Sequence, residues 1–328
     1  MNRKAISLLS GGLDSTLATK LILEQGIDVV GLHFTSPFSN RKEREEGLQA
    51  IKTASELGIR LIIRDKGAEY IEVVQNPKHG YGKNMNPCID CRIFMLRKAR
   101  EIMIEEGASF IVTGEVLGQR PMSQRRDTIQ LIETASGLEA LIVRPLSAKH
   151  FLPTVPEREE IIDRERLLDI AGRSRAVQYN LAATYNLKEF SCPGGGCLLT
   201  DPIFSNKLRD LFANDKGFAT KDIELLSIGR HFRLSIDTKL VIGRNKGENE
   251  RLESMWSSAY VLFSPVGFNG PSGILKGASD KTIISHVANI IGYYGKNNAS
   301  TITVESNNGT LKRHIIDKAD IMPERFRI

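Results

Sequence analysis

Short apolar runs alternate with helix-like stretches over the first part of the chain. Residues 5–9 are an apolar run, and residues 16–25 follow with Leu17, Leu21 and Leu23 among their apolar positions. Residues 28–34 read as a second buried strand, 43–58 as an amphipathic helix closed by Gly58, and 60–64 as a third strand. This β-α-β-α-β order predicts a parallel sheet with helices on both faces, whose ligands lie at the carboxyl ends of the strands. Further on, the pattern predicts a helix over 94–106, a strand from Ser109 into a glycine turn at Gly114, and a fifth strand over 141–146. A strongly charged helix is expected over 157–172 and another up to Tyr185. Past residue 222 the period changes. Apolar and polar residues alternate over 225–242, short strands are expected at 260–263, 301–304 and 311–316, and a helix over 280–293. The expected division is an α/β domain with a helical extension over 1–205, a connection over 206–222, and a second, smaller α+β domain over 223–328.

The composition agrees with a globular chain. Its 328 residues can bury a large core and suffice for two domains. They are 41% hydrophobic and 26% charged, with no apolar run long enough to span a bilayer and no signal-peptide layout. No membrane association and a cytoplasmic location are therefore expected. The net charge of +6 is uneven: residues 201–328 hold 18 Lys and Arg against 14 Asp and Glu, the rest 27 against 25. A basic second half fits a polyanionic partner, and equally a solvated surface.

Candidate chemistry sits at the strand ends. Ser10-Gly11-Gly12-Leu13-Asp14-Ser15 falls on the turn between the first strand and the first helix. Two glycines bring backbone N–H groups close to a ligand, the helix start adds unpaired donors, and two serines add hydroxyls. That is a phosphate cradle, but not a Walker loop, because no Gly-Lys-Ser/Thr ending follows. His33, near the end of the second strand, is a nucleotide contact or a satisfied strand-end histidine. Cys88 and Cys91 form a Cys-x-x-Cys pair at a loop–helix junction beside Arg92, a spacing that can hold zinc, an iron–sulfur cluster or a disulfide. Cys192 and Cys197 flank three glycines, which allow that loop to fold back on another site. Arg120, Arg125 and Arg126 are either a solvated loop or phosphate contacts.

The Ser10–Ser15 stretch resembles the PP-loop of the ATP pyrophosphatases. Thr113-Gly114-Glu115-Val116-Leu117-Gly118-Gln119 resembles the corresponding strand end of the 4-thiouridine synthases (ThiI family). Asn86-Pro87-Cys88 with Cys91 resembles that of the 2-thiouridine synthases (MnmA family). Together these are similar to the tRNA sulfurtransferases over residues 1 to 200. The stretch Val241-Ile242-Gly243-Arg244-Asn245, with Asn249, Leu252 and the glycine-rich run 267–277, resembles the NFACT-R RNA-binding module.

The resemblance implies an enzyme that adenylates a uridine carbonyl oxygen in tRNA, releases pyrophosphate and then transfers sulfur. It places ATP on Ser10, Gly11, Gly12, Leu13, Asp14, Ser15, His33, Thr113, Gly114 and Gln119, with Mg²⁺. Asp14 is expected to order the loop or the metal. RNA is expected on Arg120, Arg125, Arg126, Arg230 and Arg244. Of the cysteines, Cys88, Cys91 and Cys197 are expected to act as catalytic ligands of a [4Fe–4S] cluster, with zinc or a persulfide–disulfide pair as alternatives. Cys192 has no counterpart in the family pattern. The sulfur donor is free sulfide or a cysteine desulfurase relay. A PP-loop ligase acting on a small molecule and a non-enzymatic RNA-binding iron–sulfur protein are the rival readings. The sequence leaves the oligomeric state and the choice between C2 and C4 of the uridine open.

Overall fold

The computed structural model describes residues 1–39, 41–188, 190, 197–295, 298–319 and 322–328, and for 41–48 the backbone only. The chain divides into two compact units, Met1–Thr200 and Asp201–Ile328.

In the first unit the elements are β1 (Lys4–Leu8), α1 (Leu13–Leu23), β2 (Asp28–Thr35), α2 (Arg41–Glu56), β3 (Leu61–Asp65), α3 (Gly67–Gln75), α4 (Cys88–Glu105), β4 (Phe110–Val112), α5 (Arg126–Ser136), β5 (Ile142–Val143), α6 (Val155–Arg158) and α7 (Ala176–Thr184). The strands form one sheet in the order β3-β2-β1-β4-β5, every neighbouring pair parallel. The period of two along each strand splits the core. Ala5, Val29, Phe110 and Val112 face one side, packed on Leu17 and Leu21 of α1 and Ala182 of α7. Ile6, Val30, Leu32, Ile111 and Ile142 face the other, packed on Ile93, Leu96 and Ala99 of α4 and Ile132 of α5. Each such fully buried aliphatic side chain stabilises the fold by roughly 1.5–3 kcal/mol. The chain order jumps between β1 and β4, so the switch point of the sheet lies where the Ser10–Ser15 turn and residues 113–120 emerge.

In the second unit the elements are α8 (Pro202–Asn214), α9 (Thr220–Leu225), β6 (Arg230–Ser235), β7 (Thr238–Ile242), α10 (Lys246–Ser254), β8 (Val261–Pro265), β9 (Gly273–Lys276), α11 (Lys281–Tyr294), β10 (Thr301–Asn307) and β11 (Leu311–Asp317). Its six strands run β11-β10-β8-β9-β7-β6, all antiparallel. Ile283, Val287, Ile290 and Ile291 of α11 cover Phe232, Leu240, Phe263 and Val304. No helix among the described residues is long and apolar enough to cross a membrane.

One predicted element is corrected. The charged stretch 157–172 is not a helix. It holds the single turn α6, then a 3-10 turn at Arg164–Arg166. Glu160 adopts φ of 56°, and the Asp163 carboxylate caps the N–H of Glu165 instead of continuing a ladder. The apolar residues of this stretch, Ile162, Leu167 and Ile170, dock on the core from this irregular backbone instead of from one helix face.

Candidate active site

The turn between β1 and α1 is built for close approach. Gly11 has φ of +79°, and a Cβ there would lie 2.6 Å from the backbone N of Ala50 and 2.9 Å from the carbonyl carbon of Gln49. Gly12 is the residue before α1 and supplies no side-chain cap, so the first-turn N–H groups and the positive end of the helix dipole face the turn. The serines brace it. Ser15 Oγ donates to Gly12 O at 2.9 Å and accepts the Ser10 N–H at 3.2 Å, while Ser10 Oγ accepts the Gly12 N–H at 3.3 Å. Leu13 is buried and anchors the helix start. Burial pushes the His33 imidazole below its ordinary value, and its Nδ1–H donates to Leu9 O at 3.0 Å, at the strand end from which the turn leaves.

Residues 113–120, leaving β4, lie against this turn. A Cβ on Gly114 would stand 2.5 Å from Ser15 N and 2.6 Å from Asp14 C, so only glycine lets the two backbones meet. Gln119 Nε2 donates to Asp14 Oδ2 at 2.6 Å, and Arg175, which precedes α7, reaches the same oxygen at 3.4 Å. Asp14 Oδ1 is buried without a hydrogen-bond partner among the described residues. Gln178 of α7 donates from Nε2 to Gln119 Oε1 at 3.1 Å. On its other side the same stretch grips α4. Glu115 Oε1 accepts from Arg92 Nη2 at 2.6 Å, and Oε2 accepts from Arg144 Nε at 3.0 Å and Thr113 Oγ1 at 3.2 Å. Burial alone would push the Glu115 carboxyl up, but the two guanidinium groups hold it at about 2. Arg144 also pairs with Glu133.

The cysteines gather near the start of α4. Cys88 and Cys91 begin the helix after Pro87, and Cys197 arrives from far along the chain. Its segment is tied down: Leu198 N–H donates to Phe38 O at 3.1 Å, Met85 N–H to Leu199 O at 3.1 Å, and Asn84 Nδ2 to Thr200 O at 2.7 Å. All three cysteines are half-buried. Burial pushes Cys88 up, as does the neighbouring Cys91, against a downward pull from Arg120. Tyr70, buried between Phe38 and Phe94, is pushed well up by burial and by all three thiols, and its hydroxyl bonds Cys91. Lys66, after β3, donates to Cys91 Sγ at 3.4 Å and stacks its Nζ 4.4 Å from the Tyr70 ring centre. Among the described residues, no three His, Cys, Asp or Glu side chains close round a point where one metal ion would sit. Cys192 lies outside the described residues.

The arginines expected to meet RNA differ in their freedom. Arg120 is exposed, and Arg125 is exposed with Asp127 at 3.7 Å. Arg126 donates to His150 O at 2.8 Å. In the second unit the Arg230 guanidinium lies 4.5 Å over the Tyr294 ring. Arg244 is held by Glu248 through Nε at 2.9 Å.

Lys66, Tyr70, Glu115, Arg144, Arg175 and Gln178 carry no motif of their own. Glu115 alone stood inside the Thr113–Gln119 stretch, where a carboxylate at an otherwise apolar strand end could have signalled it.

Residues 1–153 match the family described as thiamine biosynthesis protein (ThiI), and residues 229–326 match the NFACT protein RNA binding domain. A probable tRNA sulfurtransferase of Thermococcus kodakarensis is 29% identical over 170 residues, covering 52% of this chain and 40% of that one. A second, of Methanothermobacter thermautotrophicus, is 31% identical over 144 residues, covering 44% and 36%. The chain thus spans less than half the length of these curated relatives. Of solved structures, a 4-thiouridine synthetase in complex with RNA and bound ATP aligns at 24% identity with a TM-score of 0.38, covering 68% of this chain and 52% of that one. The chain is therefore similar over residues 1–153 to the ThiI family of PP-loop tRNA sulfurtransferases, and over 229–326 to the NFACT RNA-binding domain.

Proposed function

We propose that this chain catalyses ATP-dependent thiolation of a uridine in tRNA, with residues 1–205 carrying the chemistry and 223–328 an RNA-binding domain. One observation carries the reading. Residues 113–120 touch the phosphate turn through Gly114 and Gln119 and grip the cysteine-bearing helix through Glu115. A single stretch therefore joins the turn read as a nucleotide cradle to the helix that bears Cys88 and Cys91, a link that supports a reaction using both and that a small-molecule ligase or a plain RNA-binding module has no use for.

In the first step a uridine carbonyl oxygen attacks the α-phosphorus of ATP, an O–P bond forms, and pyrophosphate leaves. The α1 N-terminus and the turn N–H groups stabilise the charge that builds on the phosphates. Asp14, clamped by Gln119 and Arg175, keeps the turn in shape. In the second step sulfur displaces AMP at the activated carbon.

The donor set fits an iron–sulfur group. Three soft thiols from two segments all act on the Tyr70 hydroxyl, Cys91 by a hydrogen bond, and the Lys66 ammonium lies beside Cys91 to offset thiolate charge. A single zinc ion would need all its thiolates drawn to about 2.3 Å from one point. A [4Fe–4S] cluster on Cys88, Cys91 and Cys197, when bound, leaves one iron free to take up sulfide.

The test incubates the full chain with ATP and unmodified tRNA, then analyses nucleotide products and tRNA nucleosides by mass. AMP, pyrophosphate and a thiouridine are expected, all lost in Asp14→Asn. ADP as product, or undiminished pyrophosphate release in Asp14→Asn, overturns the assignment.

A further inference from the structure

Asp14 is held by a chain of amides whose polarity its own charge dictates. A carboxylate only accepts hydrogen bonds. Gln119 must therefore turn its NH₂ to Asp14 Oδ2, 2.6 Å away, which leaves its Oε1 facing Gln178. Gln178 must in turn present its own NH₂, 3.1 Å away. Gln178 is fully buried, on a helix separate from both the phosphate turn and β4. Its Oε1 has no hydrogen-bond partner among the described residues. An amide buried with its oxygen unpaired destabilises the fold, and an apolar side chain of similar length would fill the space without that cost. The bond that the amide makes is the one to Gln119.

We propose that Gln178 is a positioning residue for the phosphate turn: through Gln119 it fixes which way the Asp14 carboxylate points. The inference rests on the reading of Asp14 as the aspartate of the pyrophosphate site. Arg175, at the start of the same helix, meets the same Asp14 oxygen at 3.4 Å, so α7 holds the carboxylate by one neutral relay and one charged contact.

The relay has a signature that simple core packing lacks. In Gln178→Glu, an ionised Glu can only accept. Gln119 must then turn its NH₂ toward position 178, which sets its oxygen against Asp14 Oδ2, acceptor to acceptor. A protonated Glu at 178 instead donates its O–H to Gln119 Oε1 and leaves the relay whole. Burial and the nearby Asp14 charge favour the protonated form, while Arg175 opposes it. The folded-state pKa of this Glu is therefore raised, and the relay is intact below it and broken above it.

The experiment measures pyrophosphate release by the full chain from about pH 5.5 to about pH 8.5, for wild type, Gln178→Glu, Gln178→Leu and Asp14→Asn. Far-UV circular dichroism is recorded for each variant. Gln178→Leu is expected to lose roughly tenfold in kcat at every pH, with a smaller change in KM for ATP. Gln178→Glu is expected to lose as much at high pH and to climb back toward wild type as pH falls, at unchanged circular dichroism. A Gln178→Glu to wild-type ratio that stays flat with pH, or both Gln178 variants within about twofold of wild type while Asp14→Asn is dead, overturns the relay alone. Full activity in Asp14→Asn overturns the reading of Asp14, and the relay with it.

Discussion

Glu115→Gln isolates the charge that ties the stretch 113–120 to α4 and β5. Glu115 is buried, and Arg144, its partner, is 4% exposed. The carboxyl falls from its ordinary 4.5 to about 2 in the fold, which corresponds to about 3 kcal/mol of stability at neutral pH. The glutamine keeps the shape but turns an NH₂ toward one guanidinium and leaves both arginines short of a counter-charge. Breaking a buried pair in this way costs roughly 3–5 kcal/mol. Arg144 retains Glu133, so the lower end, about 3 kcal/mol, is expected. The assay is urea denaturation of the full chain. Trp256, the one tryptophan, lies in the second unit, so its emission reports that unit and the remaining circular dichroism amplitude reports the first. The pH dependence gives a second check. Because the folded pKa is depressed, the stabilisation is fully present above 4.5 and is lost as pH falls through about 2, below which wild-type Glu115 becomes as neutral as glutamine. The gap between wild type and variant should therefore narrow below pH 4.5. A gap under about 1 kcal/mol at pH 7, or one that stays constant down to about pH 3, would refute the argument.

Gly114→Ala drives a methyl into the backbone of Asp14 and Ser15, and pyrophosphate release should fall roughly a hundredfold with the protein still folded; near-normal release would mean the turn yields without consequence. Cys88→Ser, Cys91→Ser and Cys197→Ser should each abolish iron content and sulfur transfer, while Cys192→Ser keeps about four irons per chain in protein purified without air. Stoichiometric zinc with full activity, or a requirement for Cys192, would remove the cluster. Affinity for tRNA should drop as salt rises, and Arg120→Ala should flatten the log–log slope by about one; an unchanged slope takes Arg120 out of the phosphate contacts.

The five strands of the first sheet were legible because each is a near-continuous apolar run bounded by turn residues, as in Val29, Val30 and Leu32. The phosphate turn was legible because glycines and hydroxyls at a strand end admit few other uses. Helix α5 was not, since Arg126 and Asp127 open it with charge and only Ile129 and Ile132 of its large apolar residues are buried, Leu131 lying exposed. The short strand β9 hid in a glycine-rich run, where Gly273 starts it between Ile242 and Leu240. In the site, local spacing exposed Cys88 and Cys91 but could not show what long-range folding adds. Lys66, after β3, and Tyr70, on α3, reach the thiols, and Arg175 reaches Asp14 across 161 positions of chain. Such partners are set by the sheet order, not by any window of sequence. His33 was open to two readings, a nucleotide contact or a satisfied strand-end histidine, and local sequence could not show its Nδ1–H bond to Leu9 O.

The backbone of Gly114 rests on Asp14 and Ser15 while its neighbour Glu115 is locked to the cysteine helix. The Ser10–Ser15 turn and the cysteine-bearing helix α4 therefore meet on one stretch of chain. Under the proposed function, thermodynamic reciprocity links the two sites: by whatever factor a bound nucleotide changes the hold on sulfur, loaded sulfur changes the hold on nucleotide. Under the proposed function, that coupling passes through a contact that leaves no room for a methyl group.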